Sequence, residues 1–196
     1  LHEIGRLREI TFREIGEGTN KAIDLDVFDG YYNHMFLWDV EAKCLAGAYR
    51  MGLGNDIFKA KGIDGFYLHD LFRFEPELHS MMSQSIELGR AFIIKSYQQK
   101  PMPLFLLWKG IVHTTLRFPE HKYLIGGVSI SNQFSNFSKS LMIEFMKSHY
   151  YDPYLAQYIQ PKKEFKVKLK DGDKDFVFDA TKADLNKFDK IIDEIE

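Results

Sequence analysis

The apolar positions of this chain recur at helical spacing in four segments. In the first and last segments charged residues fill the intervening positions, which predicts amphipathic helices. The predicted helices run from residue 4 to the glycines at 16 and 18, and over residues 104–118, 137–149 and 183–196. Prolines precede and follow the second of these helices, as expected where a helix starts and stops.

Shorter apolar segments predict strands. Residues 35–40 and 44–51 are separated by the charged turn Glu41-Ala42-Lys43, which is typical of an antiparallel hairpin. Residues 85–94 and 123–130 predict two further strands, and the helix between them is long enough for a crossover between parallel strands. Residues 165–169 and 175–178, joined through Asp171 and Gly172, predict an exposed hairpin. The glycines between residues 52 and 65 predict a break in regular structure.

The order of these elements predicts a mixed α/β layered fold. The simplest arrangement is a mostly antiparallel central sheet that contains one central parallel strand pair and is flanked by helices. We expect a single domain over residues 1–196, with 162–196 forming a hairpin-plus-helix extension. The chain begins with Leu1 and ends in a helix without a closing strand, so we also expect it to be a fragment of a longer chain.

Composition excludes several classes of protein. A chain of 196 residues with 45% hydrophobic content builds a substantial core and is not disordered. A net charge of -2 gives no reason to expect nucleic acid as a partner. Cys44 is the single cysteine, which excludes an intramolecular disulfide and fits a reducing, cytoplasmic location. The aromatic content of 15% is high, and part of it is expected to line a slot for an apolar ligand.

Charged residues set into apolar segments are the candidates for chemistry. Arg50, Glu87 and Arg90 lie within predicted strands, where an unpaired charge costs several kcal/mol, and Asp26 and Asp29 are natural partners for the arginines. Glu87 and Arg90 are three residues apart and would face opposite sides of a regular strand, but a bulge at Gly89 would bring them closer. Both an ion-pair network that holds a loop to the sheet and a catalytic site fit this pattern.

The combination of these residues resembles a known family. The matching features are a helix with Arg8 and Phe12, Asp26-x-x-Asp29, Gly47-x-x-Arg50, and Glu87-x-x-Arg90. Together they are similar to the acyl-homoserine-lactone synthases, which belong to the GNAT-like acyltransferases. The segments ELGRAFI, LLWKGI and YLIGGVSI resemble more closely the N-acyltransferases that make ornithine or glycine lipids, which are often labelled hemolysins in bacteria.

This resemblance implies a GNAT-like acyl-CoA N-acyltransferase fold and a reaction. A fatty acyl group, usually 3-hydroxylated, passes from acyl carrier protein to the amine of an amino acid in aminolipid biosynthesis. The resemblance implies that Glu87 is the base or a water-positioning residue, that Asp29 assists it and that Arg90 completes the catalytic set. The implied substrate-binding residues are Asp26, Arg50, Arg8 and Phe12. No metal and no tightly bound cofactor are expected.

The donor is expected to be the phosphopantetheine thioester of acyl carrier protein. Coenzyme A-dependent relatives hold the pyrophosphate with a glycine-rich loop, and the corresponding segment SYQQKPMPLF has no glycine, although acyl-CoA stays open as a donor. The resemblance assigns the acyl-pantetheine arm to Lys100, Leu104, Trp108, Lys109 and Ser129. A basic run is either a solvated face or a docking surface for the acidic carrier protein or for anionic lipid at the inner membrane, and it comprises Lys162, Lys163, Lys166, Lys168 and Lys170.

Two other functions stay open. One is an autoinducer-type acyl-amide synthase with an S-adenosylmethionine acceptor, although the segment GEGTNKAI has no match to the aromatic residue that follows the first helix in such enzymes. The other is a non-catalytic module that binds acyl groups or carrier protein and works with an adjoining O-acyltransferase domain or protein.

Overall fold

The computed structural model describes residues 1–167 and 171–196, with the backbone only at 171 and 174. Helices flank a four-stranded sheet, which confirms the predicted mixed α/β fold. The strands are β1 (Asn33–Asp39), β2 (Cys44–Leu53), β3 (Phe72–Phe74), β4 (Ser85–Ile93), β5 (Tyr123–Gly126) and β6 (Ile159–Pro161). The helices are α1 (His2–Glu14), α2 (Gly54–Lys61), α3 (Tyr67–Leu71), α4 (His79–Ser83), α5 (Lys95–Gln98), α6 (Pro101–Arg117), α7 (Asn136–Tyr150), α8 (Pro153–Ala156), α9 (Lys174–Thr181) and α10 (Leu185–Ile195).

The main sheet has the strand order β1-β2-β4-β5. The first three strands are antiparallel neighbours, and β4 and β5 are parallel, from Ser85 opposite Tyr123 to Leu88 opposite Gly126. The predicted parallel pair is therefore present, but it lies at the edge of the sheet and not at its centre. The predicted strand over 123–130 is also shorter than expected, because the chain leaves β4 after Gly126.

A bulge interrupts β4 next to Gly89, where the sequence allows it as one of two arrangements. Ala48 pairs with Phe92 but Arg50 pairs with Gly89, so β4 has one extra residue in this interval. Arg90 has a φ of 51°, a left-handed conformation that is uncommon for a residue with a side chain. The bulge brings Glu87 and Arg90 to the same side of the sheet, where both contact Tyr67.

The sheet is covered on both faces by helices. On one face Ile4 of α1 packs with Leu45, Ala48 and Phe92. On the other face Ile111 of α6 packs with the core residues Met51, Leu53 and Ile86. Since successive residues of a strand point to opposite faces, Arg50 and Glu87 lie on the α1 side of the sheet.

The glycine-containing segment after β2 is more regular than predicted. It forms α2, a 3-10 turn and α3, and α4 follows before β4. Gly62 ends α2 with a φ of 65°, a conformation that glycine adopts without a steric cost, so this glycine terminates the helix as predicted. The helices are short, and Ile57, Phe66 and Met82 hold them together in a buried cluster.

The C-terminal part differs from its prediction in one element. The expected helices over 137–149 and 183–196 are present as α7 and α10. The predicted hairpin is wrong in its second half, because residues 174–181 form α9, in which Val177 and Ala180 pack on α7 three positions apart. Residues 168–170, which include part of the first predicted strand and of the basic run, lie outside the described residues.

Candidate functional site

The segment between α1 and β1 forms its own turn. Asp26 caps the 3-10 helix Val27–Gly30, and its Oδ1 accepts hydrogen bonds from the amides of Phe28 at 2.9 Å and Asp29 at 3.2 Å. Asp29 Oδ2 accepts in return from the Asp26 amide at 2.8 Å. This reciprocal capping follows from the spacing of the two acids and holds both of them against the sheet.

Arg8 connects α1 to this turn. Its guanidinium makes a bidentate contact with Asp29, at 3.1 Å to Oδ1 and 2.8 Å to Oδ2, and its Nε lies 3.0 Å from Oδ2 of Asp24. All three side chains are buried. A bidentate arginine contact is the geometry in which a buried carboxylate is best compensated.

Arg50 meets the same turn from β2. Its Nη1 donates to Asp26 Oδ1 at 2.6 Å and lies 3.3 Å from Asp29 Oδ1. Its guanidinium carbon lies 5.2 to 5.5 Å from the ring centres of Phe28, Tyr32 and Tyr67, so three aromatic rings enclose the cation. Nη2 has no hydrogen-bond partner among the described residues.

Asp29 stays ionised over the physiological pH range. Burial by itself raises the pKa of this carboxyl, but the Arg8 hydrogen bonds, the Asp26 amide and the nearby Arg50 outweigh burial and lower the pKa to about 2. A carboxylate held in this way binds protons weakly. The chemistry of Asp29 is therefore that of an anchor for arginines more than that of a proton acceptor.

Arg90 and Asp26 form the accessible rim of the network. The Asp26 side chain is 26% exposed and that of Arg90 is 22% exposed, whereas Arg8, Arg50, Asp24 and Asp29 are enclosed. Arg90 lies 3.6 Å from Asp24 and 3.7 Å from Asp26, which is looser than the inner contacts. These two groups retain capacity for a charged ligand.

Glu87 lies next to the network and is held mainly by neutral groups. Its Oε1 accepts from the Leu68 amide at 2.7 Å, and its Oε2 accepts from the Tyr67 amide at 3.1 Å and from the Tyr32 hydroxyl. Burial raises the pKa of Glu87 above its ordinary value, although these hydrogen bonds oppose the shift. Glu87 thus binds a proton more readily than an exposed glutamate does.

The predicted site residues separate into two groups. The structure brings together Arg8, Asp26, Asp29, Arg50, Glu87 and Arg90. Phe12, predicted to bind substrate, packs with the cluster of Ile4 and Phe92 under the sheet. Of the residues predicted to bind the pantetheine arm, Leu104, Trp108 and Lys109 lie on the exposed side of α6, and Ser129 donates to Glu17 at 2.7 Å.

A groove lies between β1 and the start of α6. It has a volume of about 440 Å³ and is lined by Trp38, Val40, Met102 and Leu106, with Lys100 and Tyr97 at its polar side. Lys100 Nζ lies 4.1 Å from the centre of the Tyr97 ring. Among the described residues, no hydrogen bond or ion pair connects Lys100 with Ser129.

Two searches over the described ranges gave negative findings. In residues 1–167 and 171–196, no group of three or more His, Cys, Asp or Glu side chains is arranged to hold a metal ion. No helix in the same ranges is both long enough and apolar enough to cross a membrane.

Sequence reasoning missed three members of the site. Asp24 contacts Arg8, Tyr32 contacts Glu87, and Tyr67 contacts Arg90. A signal for Asp24 was present, because it stands two residues before Asp26 with an apolar residue between them. The two tyrosines carry no comparable signal, because Tyr32 precedes β1 and Tyr67 begins α3, and their roles depend on how these two segments fold over β4.

Comparisons with known proteins match the part of the chain that contains these residues. A family model described as an acetyltransferase (GNAT) domain matches residues 7–108, a range that contains Arg8, the Asp26–Asp29 turn, Arg50, Glu87 and Arg90. Two curated relatives named "Glycine N(alpha)-acyltransferase", from Bacteroides thetaiotaomicron and Phocaeicola vulgatus, are each 32% identical over 163 residues, or 78% of this chain.

The match has a defined extent. It covers 48% of the Bacteroides protein and 50% of the Phocaeicola protein, so the chain spans about half the length of these relatives. No solved structure matches the chain significantly. The family model covers more than half of the residues and includes the whole buried network, and this chain therefore belongs to the family of acetyltransferase (GNAT) domains.

Proposed function

We propose that this chain carries the catalytic centre of an amino-acid N-acyltransferase. It transfers a 3-hydroxy fatty acyl group from the phosphopantetheine thioester of acyl carrier protein to the amine of a small amino acid, and glycine is the first candidate because the relatives are named for it. The observation that carries the proposal is the buried Glu87, with its raised pKa, beside a rim of opposite charges.

The rim fits the two ends of an amino acid. A free amino acid brings an ammonium group and a carboxylate a few ångströms apart. Asp26 and Arg90 are the accessible carboxylate and guanidinium of the network, and their closest charged atoms are 3.7 Å apart. In this proposal Asp26 binds the ammonium and Arg90 binds the carboxylate, while Arg8, Arg50 and Asp29 hold these two residues in place.

Glu87 supplies the proton acceptor. Only the neutral amine attacks a thioester, so the ammonium must first lose a proton. Glu87 is enclosed, and the proton therefore reaches it through a water molecule or through the Tyr32 hydroxyl, which donates to its Oε2. The amine then attacks the acyl carbon, the C–N bond forms, the C–S bond breaks, and the second amine proton leaves with the thiol.

The donor arm has a natural entry beside β4. Pairing between β4 and β5 stops at Leu88 and Gly126, so the β4 edge after Leu88 lacks a strand neighbour on that side in the described chain. An extended pantetheine arm can pair with such an edge. Residues 101 and 103 are prolines, so the first turn of α6 has few amide donors, which favours the single phosphate of a carrier protein over a pyrophosphate.

The test is N-acylation by purified protein. The full-length natural protein, incubated with 3-hydroxyacyl carrier protein and glycine, should give N-acylglycine by mass spectrometry, and Glu87→Gln should lower kcat by about 10²- to 10⁴-fold. The matched control Glu120→Gln changes an exposed glutamate and should be neutral. Absence of product with any amino acid contradicts the function, and full activity of Glu87→Gln contradicts the role of Glu87.

A non-catalytic binding module is the second candidate. It is favoured by the close pairing of the buried charges, which a purely structural network would also have. In that case the full-length protein binds acyl carrier protein without turnover, and Asp26→Asn together with Arg90→Gln leaves this binding unchanged. The N-acylation assay also tests an S-adenosylmethionine acceptor, when S-adenosylmethionine is supplied in place of glycine.

A further inference from the structure

The outer face of α6 is apolar although it is exposed. Its inner side packs in the core through Leu107 and Ile111. On its outer side Phe105 is 60% exposed, Leu116 is 74% exposed and Trp108 is 49% exposed. Met102, Leu104 and Val112 extend the same exposed surface along the helix. A contiguous exposed apolar surface of this kind usually marks an interaction site.

The charges on this helix have one sign. Residues 101–117 contain Lys109 and Arg117, together with His113, and no aspartate or glutamate. Lys109 and Arg117 are exposed and make no ion pair among the described residues. Lys100 stands directly before the helix, close to the apolar groove beside β1. The surface therefore combines long apolar side chains with unpaired positive charge.

We propose that the outer face of α6 binds an anionic lipid surface. Exposed Trp, Phe and Leu with flanking Lys and Arg are the side chains by which a helix lies in the plane of a membrane interface. A 17-residue helix is about 25 Å long, so the apolar residues can enter the interface together. Apolar side chains outnumber the cations here, which favours lipid, because a bilayer offers an apolar interior directly beneath an anionic surface.

Vesicle binding tests this directly. The purified protein should co-sediment with vesicles of phosphatidylcholine containing about a third phosphatidylglycerol and bind pure phosphatidylcholine at least about fivefold more weakly, as a few basic residues near the surface predict. In a Trp38→Phe variant of residues 1–196, Trp108 is the single tryptophan, and its emission should shift to the blue on binding. This assay needs no donor or acceptor, so its outcome is independent of the proposed N-acylation.

Matched variants locate the surface. Phe105→Glu with Leu116→Glu should weaken partitioning into the anionic vesicles at least about tenfold, since each side chain contributes of the order of one power of ten when buried. Leu185→Glu replaces a leucine on α10 that is about as exposed as Phe105, and it should have no effect. Lys109→Glu should weaken binding to the anionic vesicles and leave binding to pure phosphatidylcholine unchanged. Lys190→Glu should change neither.

Other outcomes overturn the proposal. One is the absence of binding to anionic vesicles. Another is binding that the α6 variants leave unchanged. If the α6 variants instead convert a dimer into a monomer, or abolish binding to acyl carrier protein while vesicle binding persists, the face binds protein and not lipid. Unchanged circular dichroism of the variants, whose replaced side chains are exposed, excludes unfolding as the cause.

Discussion

The two faces of the sheet depart from the usual distribution of polar and apolar groups in opposite ways. On the α1 side, charged groups are enclosed: Arg8, Arg50 and Asp29 have almost no contact with solvent. On the α6 side, apolar groups are exposed, with Phe105 and Leu116 as the clearest cases. Both arrangements are costly in an isolated domain unless something compensates for them.

The difference lies in where the compensation comes from. The enclosed charges have their partners within the chain, since arginines and aspartates contact each other at 2.6 to 3.3 Å in the inner part of the network. The exposed apolar face of α6 has no such partner in the described residues. Substitutions within the buried network should therefore change the stability of the fold. The outer face of α6 should respond instead to what surrounds the protein, such as water or lipid.

The largest expected effect is the loss of one buried charge. Asp29→Asn removes the negative charge that faces Arg8 and Arg50 and leaves both cations undercompensated. We expect the free energy of unfolding to fall by about 3–5 kcal/mol. Urea unfolding followed by circular dichroism measures it. A loss below about 1 kcal/mol would show that the network contributes little to stability.

Acid should weaken the same region. The folded pKa of Asp29 is about 2, below its ordinary value of 3.8, so this group stabilises the fold above about pH 4 and loses its contribution as pH falls towards 2. The expected loss is about 2 kcal/mol. Glu9 acts in the same direction, because hydrogen bonds from Thr19, together with Arg13, lower its pKa to about 2.

Urea unfolding at a series of pH values tests this dependence. Glu9→Gln should be less sensitive than the native protein between about pH 5 and about pH 3, since one of the responsible carboxylates is gone. The same series on Glu14→Gln, which changes an exposed glutamate of the same helix, provides the comparison. Identical pH profiles for native protein and Glu9→Gln would contradict the prediction.

A smaller effect is expected at the bulge. Arg90 has a φ of 51°, where a residue with a Cβ costs about 1 kcal/mol more than glycine. Arg90→Gly and Arg90→Ala both remove the guanidinium, and we expect the glycine variant to be the more stable by about this amount. Both should lose N-acylation if Arg90 binds the acceptor. Equal stability of the two would indicate that the bulge relaxes in the variants.

The smallest effect is expected on the exposed face. Leu116→Glu should change the free energy of unfolding by no more than about 0.5 kcal/mol in the absence of lipid. Ile111→Ala, on the inner side of the same helix, should cost about 2–5 kcal/mol. If Leu116→Glu destabilised the protein as much as Ile111→Ala does, the outer face would be covered in solution and the contrast between the two regions would fail.

Much of the fold could be predicted because its signals are local. The periodicity of α1, α6, α7 and α10 depends on residues within each helix, and the prolines and glycines mark several of their ends. The elements that were predicted wrongly depend on contacts with residues distant in the sequence. Residues 175–178 are a short apolar run after a predicted turn, which suggested a strand, but Val177 and Ala180 pack on α7 and stabilise a helix instead.

The site could be predicted in part for a related reason. A charge within an apolar strand needs a partner, so Arg50 pointed to Asp26 and Asp29, and both contacts are present. The spacing of Glu87 and Arg90 allows a bulge at Gly89 as one of two arrangements, and β4 does have a bulge there. The groups that hold Glu87 are two amides and a tyrosine hydroxyl, and no sequence pattern marks which amides will face a given carboxylate.

The charges of the network sum to zero, with three arginines and three aspartates in mutual contact. A single substitution that removes one of these charges leaves an excess charge, whereas the simultaneous loss of one acid and one base restores the balance. In an evolving lineage such a site passes through a destabilised intermediate, so substitutions should accumulate there in pairs or not at all. The positions bound together in this way are 8, 24, 26, 29, 50 and 90.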